Sequence, residues 1–269
     1  MWSPRSQSLH VGLSAQGLIH AKTAGLWRSQ VVACERIDCV AVADEEPWRP
    51  AVTALSRLLA AQRPGKSSLH IVLSGRFVRW QLLPWRPELT HAKELSAYAS
   101  LRFRETFGKA AQDWKVLHAP QAPGKTVPAC AVDAALMEAL RSTCETGGAS
   151  LAAVTPHFAS AFDHWRGNLN GKTAWFGLIE SDCLSLGLLR DGNWMGLHTE
   201  RLDGDWRHVL PGMMAQIGIS AGLTEAAPPL YLAGCGDAPV PDPGLAFAWL
   251  RPKAQASRAM ADCRMALGV

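Results

Sequence analysis

The chain has no CxxC pair: its seven cysteines, Cys34, Cys39, Cys130, Cys144, Cys183, Cys235 and Cys263, are an odd and scattered set. Such spacing fits neither a zinc site nor a disulfide framework, so all of them read as small buried hydrophobes in a reducing compartment. Also missing is any run of about 18 to 20 apolar residues, which excludes a membrane-spanning helix. The opening MWSPRSQSLH has no apolar core of the kind a secretory signal needs, so the chain is expected to stay in the cytoplasm without inserting into a membrane. Charge of one sign is scarce as well. With Lys+Arg 27 against Asp+Glu 23 the net charge is +4, and the basic residues do not cluster, which argues against a nucleic-acid partner. No GxSxG elbow supports a serine nucleophile. Two tyrosines stand against eleven tryptophans. That surplus of large aromatics suits a core and also a hydrophobic contact surface for a partner.

What is present is a repeated pattern. Lys172 to Leu202 reads as three strands: Trp175 to Glu180, then Cys183 to Arg190, then Trp194 to Arg201. Asp191-Gly192 supplies the positive φ angles of a two-residue type I′ hairpin between the last two. The N-terminal residues show the same order. Strands are expected at Leu9 to Ser14, Leu18 to Thr23 and Gln30 to Ala43, followed by a helix carrying Trp48, Val52, Leu55 and Leu59 and a strand at Leu69 to Leu73. After the second meander come a helix at Trp206 to Ile219, weakened by Pro211 and Gly212, and a strand at Pro229 to Ala233. Between the two copies lie a strand at Phe77 to Trp85, a helix at Leu89 to Phe107, strands at Asp113 to His118 and Lys125 to Val132, and a helix at Ala134 to Thr146. A strand at Leu151 to Thr155 leads to a helix with Phe158, Phe162 and Trp165 on one face. Ala254 to Leu267 completes the chain as an amphipathic helix.

This is an α/β chain of two βββαβ halves: residues 1–74 with 133–155, and residues 156–253. A small α+β insertion occupies 75–132 and a C-terminal helix 254–269. Alternation in the strand after Gly75 puts Val78, Trp80 and Leu82 on the side that the Leu89 to Phe107 helix would cover. It leaves Arg79 exposed, and Arg79 with Trp85 has the composition of a partner-binding hot spot. His157 and His164 read as surface or packing residues.

Val72-Leu73-Ser74-Gly75-Arg76-Phe77-Val78-Arg79-Trp80, Leu83-Pro84-Trp85, Leu188 to Trp194 and Tyr231-Leu232-Ala233-Gly234-Cys235-Gly236 carry a resemblance. Together with the duplicated halves they resemble the actin-like (ribonuclease H-like) superfamily. Within it, the chain looks like the PilM protein of type IV pilus assembly and the cytoplasmic domain of the type II secretion protein GspL. The resemblance implies two hairpins that grip nucleotide phosphates, one of them with a metal-binding Asp, and an adenosine motif near Gly234 to Gly236. Here Ser14 stands where that Asp is expected and Gln16 near the usual Gly, while Ile179-Glu180-Ser181-Asp182 has no glycine. Side chains there occupy the space through which phosphates reach the backbone.

Ser14, Gly17, Asp182, Gly234 and Gly236 are thus what would remain of a nucleotide cleft, with Glu180 or Asp182 able to substitute for one carboxylate. The resemblance implies no catalytic or metal residue, no required cofactor, and at most weak ATP binding. It implies a non-enzymatic scaffold that docks a membrane-anchored pilus or secretion assembly protein. Ending at Val269 without a membrane helix, the chain resembles the PilM arrangement and would reach the inner membrane through a partner. A homodimer is compatible with the sequence. The second reading is an ATP-dependent phosphotransferase of the sugar kinase type, which requires the Asp that Ser14 replaces.

Overall fold

Alternating apolar strands joined by tight turns build the first sheet of the computed structural model. The structure describes residues 7–24, 30–40, 42, 44–62, 67–120, 122–169, 173–223, 228–234, 244–251 and 263–269. β1 (Gln7–Ser14), β2 (Gly17–Ala24) and β3 (Gln30–Asp38) form an antiparallel meander, and α1 (Arg49–Gln62) crosses over to β4 (Ser68–Leu73), which runs parallel to β1. Leu9, Val11 and Leu13 of β1 pack with Leu55 and Leu59 of α1 on one face of this sheet. β3 ends at Asp38, short of the expected Ala43.

The inserted block follows as β5 (Val78–Leu83), α2 (Ala92–Phe107), β6 (Trp114–His118) and β7 (Val127–Asp133), with β7 central in a separate three-stranded antiparallel sheet. Its own small core joins Leu95, Ala99 and Phe103 of α2 to Leu83, Val127 and Ala129. The faces of β5 are opposite to the sequence expectation. Val78 and Trp80 turn away from α2 into the larger cores, Trp80 meeting Phe158 edge-on at 5.9 Å, whereas Leu83 and the Gln81 amide face α2. Alternation defines two faces of a strand but cannot say which one a distant core will claim.

α3 (Ala134–Thr146), capped by the Asp133 carboxylate on the Ala135 N–H at 2.7 Å, leads to β8 (Ser150–Pro156), and α4 (His157–Leu169) crosses to the second half. There β9 (Ala174–Ile179), β10 (Cys183–Arg190), β11 (Asn193–Arg201), α5 (Trp206–Ser220), β12 (Leu230–Gly234) and β13 (Ala248–Trp249) repeat the first topology. The strand orders are β3-β2-β1-β4-β8 and β11-β10-β9-β12-β13, each with three antiparallel strands followed by two parallel ones. Both residues of the β10–β11 turn adopt positive φ, 51° at Asp191 and 71° at Gly192, as the hairpin requires. α5 runs unbroken through Pro211, which costs it a main-chain hydrogen bond. Packing of Trp206, Leu210, Met213 and Ile217 on Leu184, Leu186 and Leu188 outweighs that loss. Most of the expected C-terminal helix falls on residues 252–262, outside the described ones, and α6 (Arg264–Leu267) is a single turn against β1 and β2.

The reading of every cysteine as a thiol is overturned, because Cys34 on β3 and Cys263 before α6 form a disulfide with Cα atoms 6.1 Å apart. The two are separated by 229 positions. Only the return of the C-terminal segment onto the first sheet brings them together.

β10 is buried on both faces, so its side chains have nowhere to relax when truncated. Leu186→Ala is expected to lower unfolding free energy by about 3 kcal/mol in urea titration without changing the m-value.

Candidate functional site

The ends of β1, β4, β8 and β9 converge on one carboxylate. Glu180, directly after β9, is 6% exposed and has both oxygens engaged. Its Oε2 accepts the Gly75 N–H at 2.7 Å and the Cys183 Sγ at 3.1 Å, and its Oε1 meets His157 Nδ1 at 3.0 Å. Gly75 follows β4, and His157, fully buried, opens α4. Ser74 closes the ring. Its N–H donates to the Leu13 carbonyl at 2.9 Å, and its Oγ lies 3.7 Å from Cys183 Sγ. The glycine at 75 is there for space: a Cβ would fall 2.9 Å from Glu180 Oε2 and from Ser185 Oγ.

Burial by itself would raise the Glu180 carboxyl. The His157 hydrogen bond and attraction, with the Cys183 and Gly75 donors, outweigh burial and hold it below the ordinary value. The neighbouring Asp182 is pushed the other way, by burial first and by Glu180 second, against the pull of Arg76 and Arg201. Its Oδ1 is buried with no hydrogen-bond partner.

Three residues of the expected nucleotide remnant, Ser14, Gly17 and Gly234, have a structural use. Ser14 spends its hydroxyl inside its own turn, donating to the Gly17 carbonyl at 3.1 Å. Gly17, with φ of 152°, lets β2 approach β3, since a Cβ there would run into the Ile37 carbonyl. Gly234 admits the β9 backbone, where a Cβ would lie 2.8 Å from the Ile179 carbonyl oxygen, and its own carbonyl accepts Arg264 at 3.0 Å. Gly236 lies outside the described residues. Among those residues no group of three or more His, Cys, Asp and Glu side chains could hold a metal ion, and no helix is long and apolar enough to cross a membrane.

Arg79 and Trp85 are not brought together. Arg79 lines a 260 Å³ cleft between the insertion and β11, shared with Arg76, His198 and Arg201. Trp85, 37% exposed, lies beyond the other end of β5, six residues or about 20 Å along an extended chain. An apolar groove went unread in the sequence. It has a volume of 410 Å³ and a floor of Trp80, Phe158, Phe162 and Trp194, flanked by Leu117 and His118 of β6 and by Val154 and Thr155 of β8. Its walls come from five separate stretches of chain, so no local pattern could announce it.

No family model and no curated protein matches the chain. Solved structures do, and they define an actin-like ATPase fold. PilM in the PilM–PilN type IV pilus biogenesis complex superposes with a TM-score of 0.67 at 16% identity, covering 98% of each chain. The cytoplasmic domain of EpsL, an inner membrane component of the type II secretion system of Vibrio cholerae, gives 0.61 at 13% identity, covering 98% of this chain and 96% of that one. A Bacteroides thetaiotaomicron protein of actin-like ATPase fold and unknown function gives 0.57 at 12% identity over 86% and 82%. The fold is therefore the one that the sequence resemblance implied, that of PilM and the GspL cytoplasmic domain.

Glu180→Ala would leave His157 and the Gly75 N–H without their partner in the interior and is expected to destabilise the protein by about 3 kcal/mol. Because the folded carboxyl sits below its ordinary value of 4.5, the stability it contributes is complete above that pH and is lost as pH falls through the depressed value. Urea unfolding between pH 7 and pH 3 should show this acid-side loss in the wild type and a flatter profile in Glu180→Ala.

Proposed function

We propose that this protein is a non-catalytic scaffold of a type IV pilus or type II secretion-like assembly machine, working at the cytoplasmic face of the inner membrane. The observation that carries this reading is the engagement of Glu180. Of the two carboxylates able to replace the missing metal-binding Asp, Glu180 is fully occupied by His157, Gly75 and Cys183, which leaves Asp182 alone, and Ser14 is turned inward on Gly17. Phosphate-gripping hairpins and a hydrated metal supply most of an actin-like site's hold on a triphosphate, and both are impaired together. Likeness over 98% of the chain to PilM and to the EpsL cytoplasmic domain supports placing the scaffold in such a machine.

The mechanism is docking. The groove floored by Trp80, Phe158, Phe162 and Trp194 is bounded by β6 and β8, each the last strand of its sheet, so an extended segment entering it meets apolar pockets and open main-chain edges at once. Its occupant is a short cytoplasmic segment of a membrane-anchored partner, as the PilM–PilN neighbour suggests. Leu117, 57% exposed at the groove's rim, is the anchor accessible to substitution without loss of core.

Two measurements test this. Calorimetric titration with ATP should show no magnesium-dependent affinity and residual binding at millimolar strength or weaker, about 4 kcal/mol; micromolar, magnesium-dependent binding would favour the phosphotransferase reading. Synthetic peptides of the cytoplasmic segments of single-span membrane proteins encoded in neighbouring reading frames, titrated by tryptophan fluorescence, should include one that binds. Leu117→Asp should weaken it at least tenfold, about 1.4 kcal/mol. Equal affinity in the variant would remove the groove from the mechanism.

A further inference from the structure

Cys34 and Cys263 are set apart from the other described cysteines by what surrounds them. Burial raises the Cys130 and Cys144 thiols to about 11, raises Cys183 further with help from Glu180, and raises Cys39 together with Asp38. Thiolate chemistry is therefore suppressed at the four free thiols among the described residues. The disulfide, by contrast, has one end less buried than the other. Cys34 is half-buried on β3, the edge strand of the first sheet, while Cys263 is completely buried.

The bond pins a segment that touches both halves. Met265 lies over Gly12 of β1, where a Cβ would fall 2.8 Å from its side chain. With Ala266 and Cys263 it packs on Ile19 and Ala21 of β2. Arg264 reaches across to the Gly234 carbonyl of the second sheet, and the Val269 main-chain oxygen lies 3.4 Å from Nε2 of the same His157 that holds Glu180. α6 is only four residues long, far below the length at which a helix holds itself, so tertiary anchoring must keep it in place.

We propose that the Cys34–Cys263 disulfide is a redox modification site that latches residues 263–269 across the two halves, with a protein dithiol of the thioredoxin class as its reductant. The attacking thiolate takes the sulfur of Cys34, the less buried of the two residues, forming a mixed disulfide and expelling Cys263 as a thiolate that takes up a proton. The reductant's second thiol then displaces Cys34, which is protonated in turn. The reductant leaves oxidised to its own disulfide and the protein holds two thiols. Loss of the tether lets α6 open locally and removes the Arg264 and Val269 contacts between the halves. In a reducing compartment such a bond is a transient, responsive one rather than a permanent staple. This inference does not rest on the docking reading.

The test combines peptide mapping with hydrogen exchange on the full chain. Air-oxidised protein digested without reductant should yield one species linking the Cys34 and Cys263 peptides, resolved into two by dithiothreitol. The Leu267, Gly268 and Val269 amides, bonded to the carbonyls of Cys263, Met265 and Arg264, should exchange at least tenfold faster after reduction, with β1 unchanged. Cys34→Ala should match the reduced protein. Should that variant fail to fold, reduction of the wild type remains the deciding measurement. Absence of the linked species, or equal exchange in oxidised and reduced protein, would overturn the latch.

Discussion

One buried carboxylate decides how the two halves of this molecule relate. Glu180 is deprived of water, and a charge in that position survives only when donors on the protein replace the lost solvation. The donors come from three places: the backbone after β4, the first residue of α4 and the thiol at the start of β10. Each lies at the end of an element belonging to a different part of the fold. Satisfying one side chain therefore fixes the first sheet, the crossing helix and the second sheet against one another.

The same constraint shapes what the cleft can do. In a nucleotide-binding actin-like site, carboxylates and glycine-lined turns must remain free until phosphate and metal arrive. Here the turn after β1 is closed by its own serine, and Glu180 is held from within. The docking surface proposed above lies instead at the seam between the inserted sheet, α4 and β11. β6 and β8, each the last strand of its sheet, border it beside a floor of aromatic rings: Phe162 and Trp194 are 4.6 Å apart and Phe158 and Trp194 5.7 Å. An apolar floor with open strand edges suits a peptide better than a triphosphate.

The crosslink between Cys34 and Cys263 adds a second, covalent connection that ends on the same histidine network. Val269 leans on His157 from one side as Glu180 does from the other. The C-terminal segment and the carboxylate ring are thus mechanically adjacent, although one depends on oxidation state and the other on protonation.

By itself the sequence determined the elements and their order. Period-two alternation marked the strands, Asp191-Gly192 marked a hairpin whose φ angles are both positive, and the recurrence of three strands, a helix and a strand marked the duplicated halves. Set beside the family it resembles, it also showed that Ser14, Gln16 and the glycine-free turn Ile179-Glu180-Ser181-Asp182 depart from a phosphate-binding pattern. These are local properties, written within a few residues of one another. Tertiary structure alone decided the rest. Which face of β5 is covered, the meeting of Gly75, His157 and Glu180 across 105 and 23 positions, the Cys34–Cys263 bond and the walls of the aromatic groove all depend on chain segments that are distant in sequence. The physical reason is that burial and the pairing of buried polar groups are properties of the packed molecule. A residue type states what a side chain can donate, accept or cover, and only folding supplies the partner.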